Sequence, residues 1–208
     1  MISKFSIVAS FFIALILGSV ETDQKRKTII FFGDSITAGY GLSMEEAFPN
    51  LIQNKVDSLG LDYEVINAGL SGEASAGGLD RIDWILKGKP DVFVLELGGN
   101  DGLRGLSIDE TEANLKAMID KIKVANPKTK IFLAGMQIPP NLGQEYTKAF
   151  RDVFPKVAED KNVELIPFLL VNVGGESKLN QSDGIHPNVA GHKIVAETVW
   201  GYVQKYLK

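Results

Sequence analysis

Two short strings near opposite ends of the chain carry side chains suited to acyl transfer. Gly33-Asp34-Ser35-Ile36-Thr37 closes an apolar run, and Asp183-Gly184-Ile185-His186-Pro187 precedes an amphipathic one. A serine at the turn out of a strand puts its hydroxyl at the rim of a sheet, near the positive end of the helix that follows. Serine and aspartate are also common turn and capping residues, so Ser35 by itself does not make a nucleophile. The chain has two histidines, His186 and His192, which narrows the choice of general base. An aspartate three residues before a histidine can set its carboxylate on the imidazole N–H if the loop between them turns back, fixing the tautomer. His192 has no acid at that spacing and falls inside a helical stretch, which marks it as structural.

Two further loops offer hydrogen-bond donors. A glycine in Asn67-Ala68-Gly69-Leu70-Ser71-Gly72-Glu73 can bring backbone N–H groups close to a ligand oxygen. In Gly98-Gly99-Asn100-Asp101, Asn100 carries an amide of the kind that stabilises an oxyanion. Each piece has an ordinary turn or loop role as well. Together they supply a nucleophile, a base, an orienting acid and oxyanion donors, the set acyl transfer needs. Asp34 and Asp101 flank these positions and are expected to brace the loops through backbone N–H groups. Gly135-Met136-Gln137-Ile138-Pro139-Pro140-Asn141-Leu142-Gly143 should border the site, with Ile138 and Pro139 as candidates for lining an acyl groove.

The elements that must position these residues alternate in type. Thr28–Phe32, Tyr63–Ile66, Val92–Leu97, Lys130–Ala134 and Val163–Ile166 read as strands. Helical stretches run over about Glu45–Ser58, Gly77–Lys87, Ile108–Ala125, Tyr146–Asp160 and Val189–Tyr206. Such alternation implies right-handed crossovers and a parallel sheet covered on both faces, a three-layer α/β domain. Ligands in such sheets bind beyond the carboxyl ends of the strands, and every candidate above falls at one of those ends or before the last helix.

Composition sets the outer bounds. The chain has 208 residues, 45% hydrophobic and 23% charged, as expected for one folded domain. A net charge of −4 with no basic stripe argues against nucleic acid as a partner. There is no cysteine, so disulfides, thiolate metal sites and a cysteine nucleophile are all excluded. Lys4 followed by the apolar run Phe5–Val20 has the form of a secretory signal, shorter than a membrane span. This gives residues 1–20 as a leader, 21–27 as a polar lead-in and 28–208 as the domain, in a secreted or periplasmic protein. Val20 stands where a lipoprotein signal would carry its lipidated cysteine, so export without lipidation is expected.

The strings GDSITAGYG, NAGLSGE, GGND and DGIHPN resemble, in that order, the sequence blocks of the SGNH (GDSL) hydrolases, and LELGGNDGLRG is similar to their bacterial thioesterase/lysophospholipase/arylesterase group. The resemblance runs from about Thr28 into the last helix. It implies a flavodoxin-like α/β/α sandwich whose five-stranded parallel sheet has the order 2-1-3-4-5. It also implies Ser35 as nucleophile, His186 as base and Asp183 as its partner, with an oxyanion hole formed by the Ser35 and Gly72 N–H groups and the Asn100 amide. The substrates implied are small acyl esters or thioesters, aryl esters and lysophospholipids, with carbohydrate acetyl esters as a rival and no cofactor or metal. Two other classes are open to the same residues. A metallophosphoesterase could gather Asp34, Asn100, Asp101, Asp183 and His186 around metal, but has one usable histidine. A flavodoxin-type binding module would want more glycines or hydroxyls in its first loop. The G-x-S-x-G elbow of an α/β-hydrolase is absent.

Overall fold

The computed structural model describes residues 26–208. The expected leader, and with it Val20, lies outside these residues. Five strands form one all-parallel sheet in the order β2-β1-β3-β4-β5: β1 (Lys27–Gly33), β2 (Tyr63–Gly69), β3 (Val92–Glu96), β4 (Lys130–Ala134) and β5 (Glu164–Ile166). Each expected strand is present, with β2 running three residues further, to Gly69, where it stays in register with Gly33 of β1. The central strands are covered on both sides, so both alternations of β1 and β3 are apolar, and Phe31, Phe32, Phe93 and Phe132 are fully buried. Edge strand β2 is only partly buried.

Five long helices follow the strands. α2 (Phe48–Ser58) and α7 (Val189–Val203) pack together, while α3 (Ser75–Ile85), α5 (Ile108–Ala125) and α6 (Gln144–Lys161) form a second contiguous set. Two short helices lie outside the expected helical stretches: α1 (Ser35–Ala38) directly after β1 and α4 (Gly99–Leu103) after β3. Each is about one turn long, too short to show a hydrophobic period.

The chain steps from β1 outward to β2, then crosses back over β1 to β3 and continues the other way. The topological switch therefore falls between β1 and β3, the crevice where parallel sheets of this type bind ligands. α1 and α4 open at its two sides. At the amino ends of the strands, away from this crevice, the C-terminus meets the first strand: Lys27 Nζ donates to the Lys208 carbonyl at 3.4 Å, and Lys208 N–H to the Tyr63 hydroxyl at 3.5 Å. Among the described residues, no helix is long and apolar enough to cross a membrane.

Candidate active site

The turn after β1 is built on a buried carboxyl. Glu96, at the end of neighbouring β3, accepts through Oε2 from the Asp34 N–H at 3.1 Å and the Thr37 hydroxyl at 2.7 Å. Only glycine fits at the corner, because a Cβ on Gly33 would lie 2.2 Å from Thr37 Oγ1 and 2.3 Å from Glu96 Oε2. Asp34 caps α1, its Oδ1 accepting the Ile36 N–H at 3.0 Å. Ser35 is thereby the first residue of α1, with its hydroxyl at the mouth of the crevice. Burial pushes the Asp34 carboxyl up to about 6, against the pull of the Ile36 N–H and the Asn100 amide. Burial, then the neighbouring Asp34 charge, holds Glu96 well above the carboxylate range. Two carboxyls this close in a dry site favour keeping a proton on one of them.

The second segment folds back on itself through one aspartate. Asp183 Oδ1 accepts the N–H groups of Ile185 at 2.9 Å and His186 at 3.0 Å, which closes the loop. Its Oδ2 lies 2.8 Å from His186 Nδ1. The His186 and Ile185 backbone N–H groups, in that order, hold the Asp183 carboxyl down to about 2. An acceptor at Nδ1 places the imidazole proton there and leaves Nε2 as an acceptor. Nε2 lies 2.9 Å from Ser35 Oγ, so the three side chains form one hydrogen-bonded chain. This arrangement can draw a proton from the serine hydroxyl and hold the imidazolium that results.

The donors come from two other loops. No acceptor among the described residues takes the backbone N–H of Ser35 or Gly72. The Asn100 amide is already engaged: Nδ2 donates to Asp34 Oδ2 at 3.0 Å and to the Glu73 carbonyl at 3.1 Å. An incoming oxyanion would therefore share an N–H with one of these acceptors. Arg104 donates to the Gly72 carbonyl at 2.8 Å and to Asn100 Oδ1 at 3.3 Å, tying these two loops together. Asp101 accepts from the Ser75 N–H at 2.8 Å and the Ser75 hydroxyl at 2.5 Å, so both flanking aspartates brace backbone, as expected.

A cavity of about 540 Å³ opens over Ser35, Asn100 and His186. Ile138 and Pro139 both line it, alongside Leu103, Met136, Phe168, Leu170 and Ile185. The stretch Phe168–Gly175 has no regular strand or helix period, which is why the sequence did not single it out. Among the described residues, no three His, Asp or Glu side chains converge as a metal ion would require, and His192 lies apart, fully buried under α2.

A switch-point crevice in a parallel 2-1-3-4-5 sheet, with Ser, Asn and an Asp–His loop at its rim, defines the SGNH class of carboxylic ester hydrolases. The chain belongs to the GDSL-like lipase/acylhydrolase family, whose profile matches residues 31–194. It is 40% identical over 189 residues to esterase TesA of Pseudomonas aeruginosa, covering 90% of this chain and 92% of that one. To the thioesterase 1/protease 1/lysophospholipase L1 of Escherichia coli K12 it is 37% identical over 171 residues, 82% of this chain and 80% of the relative. The crystal structure of esterase EstA from Pseudoalteromonas sp., inhibited by monoethylphosphonate, superposes with a TM-score of 0.82 at 36% identity, over 86% of this chain and 98% of that one. The protein is a carboxylic ester hydrolase of this family.

Proposed function

We propose that the protein cleaves acyl esters and thioesters, including aryl esters and lysophospholipids, through a Ser35–His186–Asp183 triad and an acyl-enzyme intermediate. The chain of contacts at 2.9 Å and 2.8 Å, opening on a largely apolar cavity, carries this reading. His186 Nε2 takes the Ser35 proton as Oγ attacks the carbonyl carbon. The resulting oxyanion sits against the Ser35 and Gly72 N–H groups and the Asn100 amide. Collapse expels the alcohol or thiol, which receives the proton from His186, and leaves the acyl group on Ser35. Water activated by His186 then releases the acid and restores the serine. Asp183 stays ionised throughout, consistent with a carboxyl held down to about 2. The apolar wall from Ile138 to Ile185 would take the acyl chain, and the small-molecule substrate is the only partner this chemistry needs.

The test is hydrolysis of p-nitrophenyl esters of increasing acyl length by wild type and Ser35→Ala, with and without EDTA. Activity that resists EDTA and vanishes in the variant is expected. Activity that persists in Ser35→Ala, or is abolished by EDTA, refutes the serine mechanism. The same reading takes residues 1–20 as a cleaved secretory leader ahead of a domain from 28 to 208, with the product secreted or periplasmic and unlipidated. N-terminal sequencing of the exported protein should begin within a few residues of Glu21; a retained Met1 refutes cleavage.

A further inference from the structure

Ser35 and His186 lie 151 residues apart in the chain, so their 2.9 Å contact depends on what holds their two loops in place. A relay of three hydrogen bonds joins one backbone to the other. Tyr40 N–H donates to the Ser35 carbonyl at 3.0 Å. The Tyr40 carbonyl in turn accepts from Gln181 Nε2 at 2.6 Å. Gln181 N–H donates to the His186 carbonyl at 2.8 Å. The second amide hydrogen of Gln181 goes to the Pro187 carbonyl at 3.1 Å, so both of its N–H bonds are used, one on each loop.

The surroundings fit this single side chain closely. Asn180 and Pro187 form an isolated antiparallel bridge that closes the histidine loop at its neck. Gly41 has φ 79°, which favours glycine, and a Cβ there would stand 2.3 Å from Gln181 Oε1, so any other residue would displace the Gln181 amide. The Tyr40 ring rests against the His186 ring with centroids 4.7 Å apart and planes 42° apart.

We infer that Gln181 is a positioning residue for ester hydrolysis, setting His186 against Ser35 through Tyr40; this rests on the serine mechanism proposed above. Gln181 touches neither substrate nor reacting atoms. Asp183 fixes the imidazole relative to its own loop, whereas Gln181 fixes that loop relative to the nucleophile. Proton transfer needs heavy atoms within hydrogen-bond reach, and a misplacement of about 1 Å costs on the order of 100-fold in rate.

Gln181→Met keeps the length and removes both donors. Expected are a fall in kcat of about 10- to 100-fold at unchanged KM, in protein that remains folded at the assay temperature. Ser182→Ala, a change to the exposed neighbour, keeps the wild-type kcat. A lowered melting temperature with wild-type kcat in Gln181→Met overturns the inference and makes Gln181 a loop brace only. Should Gln181→Met not fold, Gln181→Asn draws the amide back by one methylene, out of reach of the Tyr40 carbonyl, and is expected to lower kcat at constant KM; an unchanged kcat there overturns it equally. Ser35→Ala separates the two levels of argument. If that variant is active, the serine mechanism fails; if it is inactive while Gln181→Met turns over normally, only the positioning role fails.

Discussion

Substituting His192 by glutamine should change how stability depends on pH, by an amount the structure sets. His192 lies in α7, fully buried, with Nδ1 accepting the Phe48 N–H at 3.1 Å from the first turn of α2 and its ring stacked on that of Phe48. The proton must then sit on Nε2, which has no partner among the described residues. Burial pushes the imidazole from 6.5 down to about 4. Below pH 6.5 the unfolded chain takes up a proton that the folded chain refuses until about pH 4. This contribution to stability is therefore intact above pH 6.5 and is lost as pH falls toward 4. Linkage gives a loss of about 2 kcal/mol by pH 5 and about 3 kcal/mol in full. Asp34 and Glu96 work in the opposite direction, since their raised carboxyls hold protons that the unfolded chain has released. Wild-type curves alone will show partial cancellation, so the difference between variant and wild type is the quantity to read. Urea unfolding at pH 7.5 and pH 5, followed by fluorescence of Trp84 and Trp200, measures it. Glutamine can still accept the Phe48 N–H but does not titrate. The stability gap between His192→Gln and wild type should move by about 2 kcal/mol in favour of the variant between the two pH values. A gap that does not change refutes a neutral buried His192.

Three other outcomes follow from the site. Asn100→Ala should fold, by circular dichroism, and lose roughly 100- to 1,000-fold in kcat; wild-type turnover would remove Asn100 from the oxyanion hole. Asp183→Asn should cost on the order of 10⁴-fold in kcat, because an amide can donate to Nδ1 and favour the wrong tautomer; a loss below tenfold in steady-state assays would show that the loop alone orients His186. Glu96→Gln removes a buried acid whose protonated form the fold prefers, so its stability relative to wild type should rise from pH 4 to pH 8. Parallel melting curves that stay equally spaced across that range would show Glu96 to be ionised in the folded protein.

The sheet was legible because its strands are short apolar runs separated by helical periods, and parallel order follows from that alternation. Asp183 and His186 were legible as a pair because three residues is the spacing a returning loop needs. What the sequence did not reveal depends on three-dimensional neighbours. Glu96 sits inside the apolar run Val92–Leu97, and only the approach of Thr37 and the Asp34 N–H shows why an acid is tolerated there. A single charge in a strand buried on both faces was a usable signal. That both N–H bonds of Asn100 are already taken follows from Asp34 and Glu73, on two different loops, which no spacing relates. Arg104 and Gln181 join loops distant in sequence and carry no local pattern of their own.

The meeting of Lys27 and Lys208 at the amino ends of the strands, away from the cavity, bears on how this protein can be handled. Both ends of the described chain leave from one side, and the catalytic mouth faces the other. A tag, a fusion partner or a bead coupled through the C-terminus would hold the protein with its cavity turned outward. Immobilised through its C-terminus, the enzyme should turn over soluble esters at its free-solution rate, whereas coupling through a residue introduced at Leu103 would block the opening.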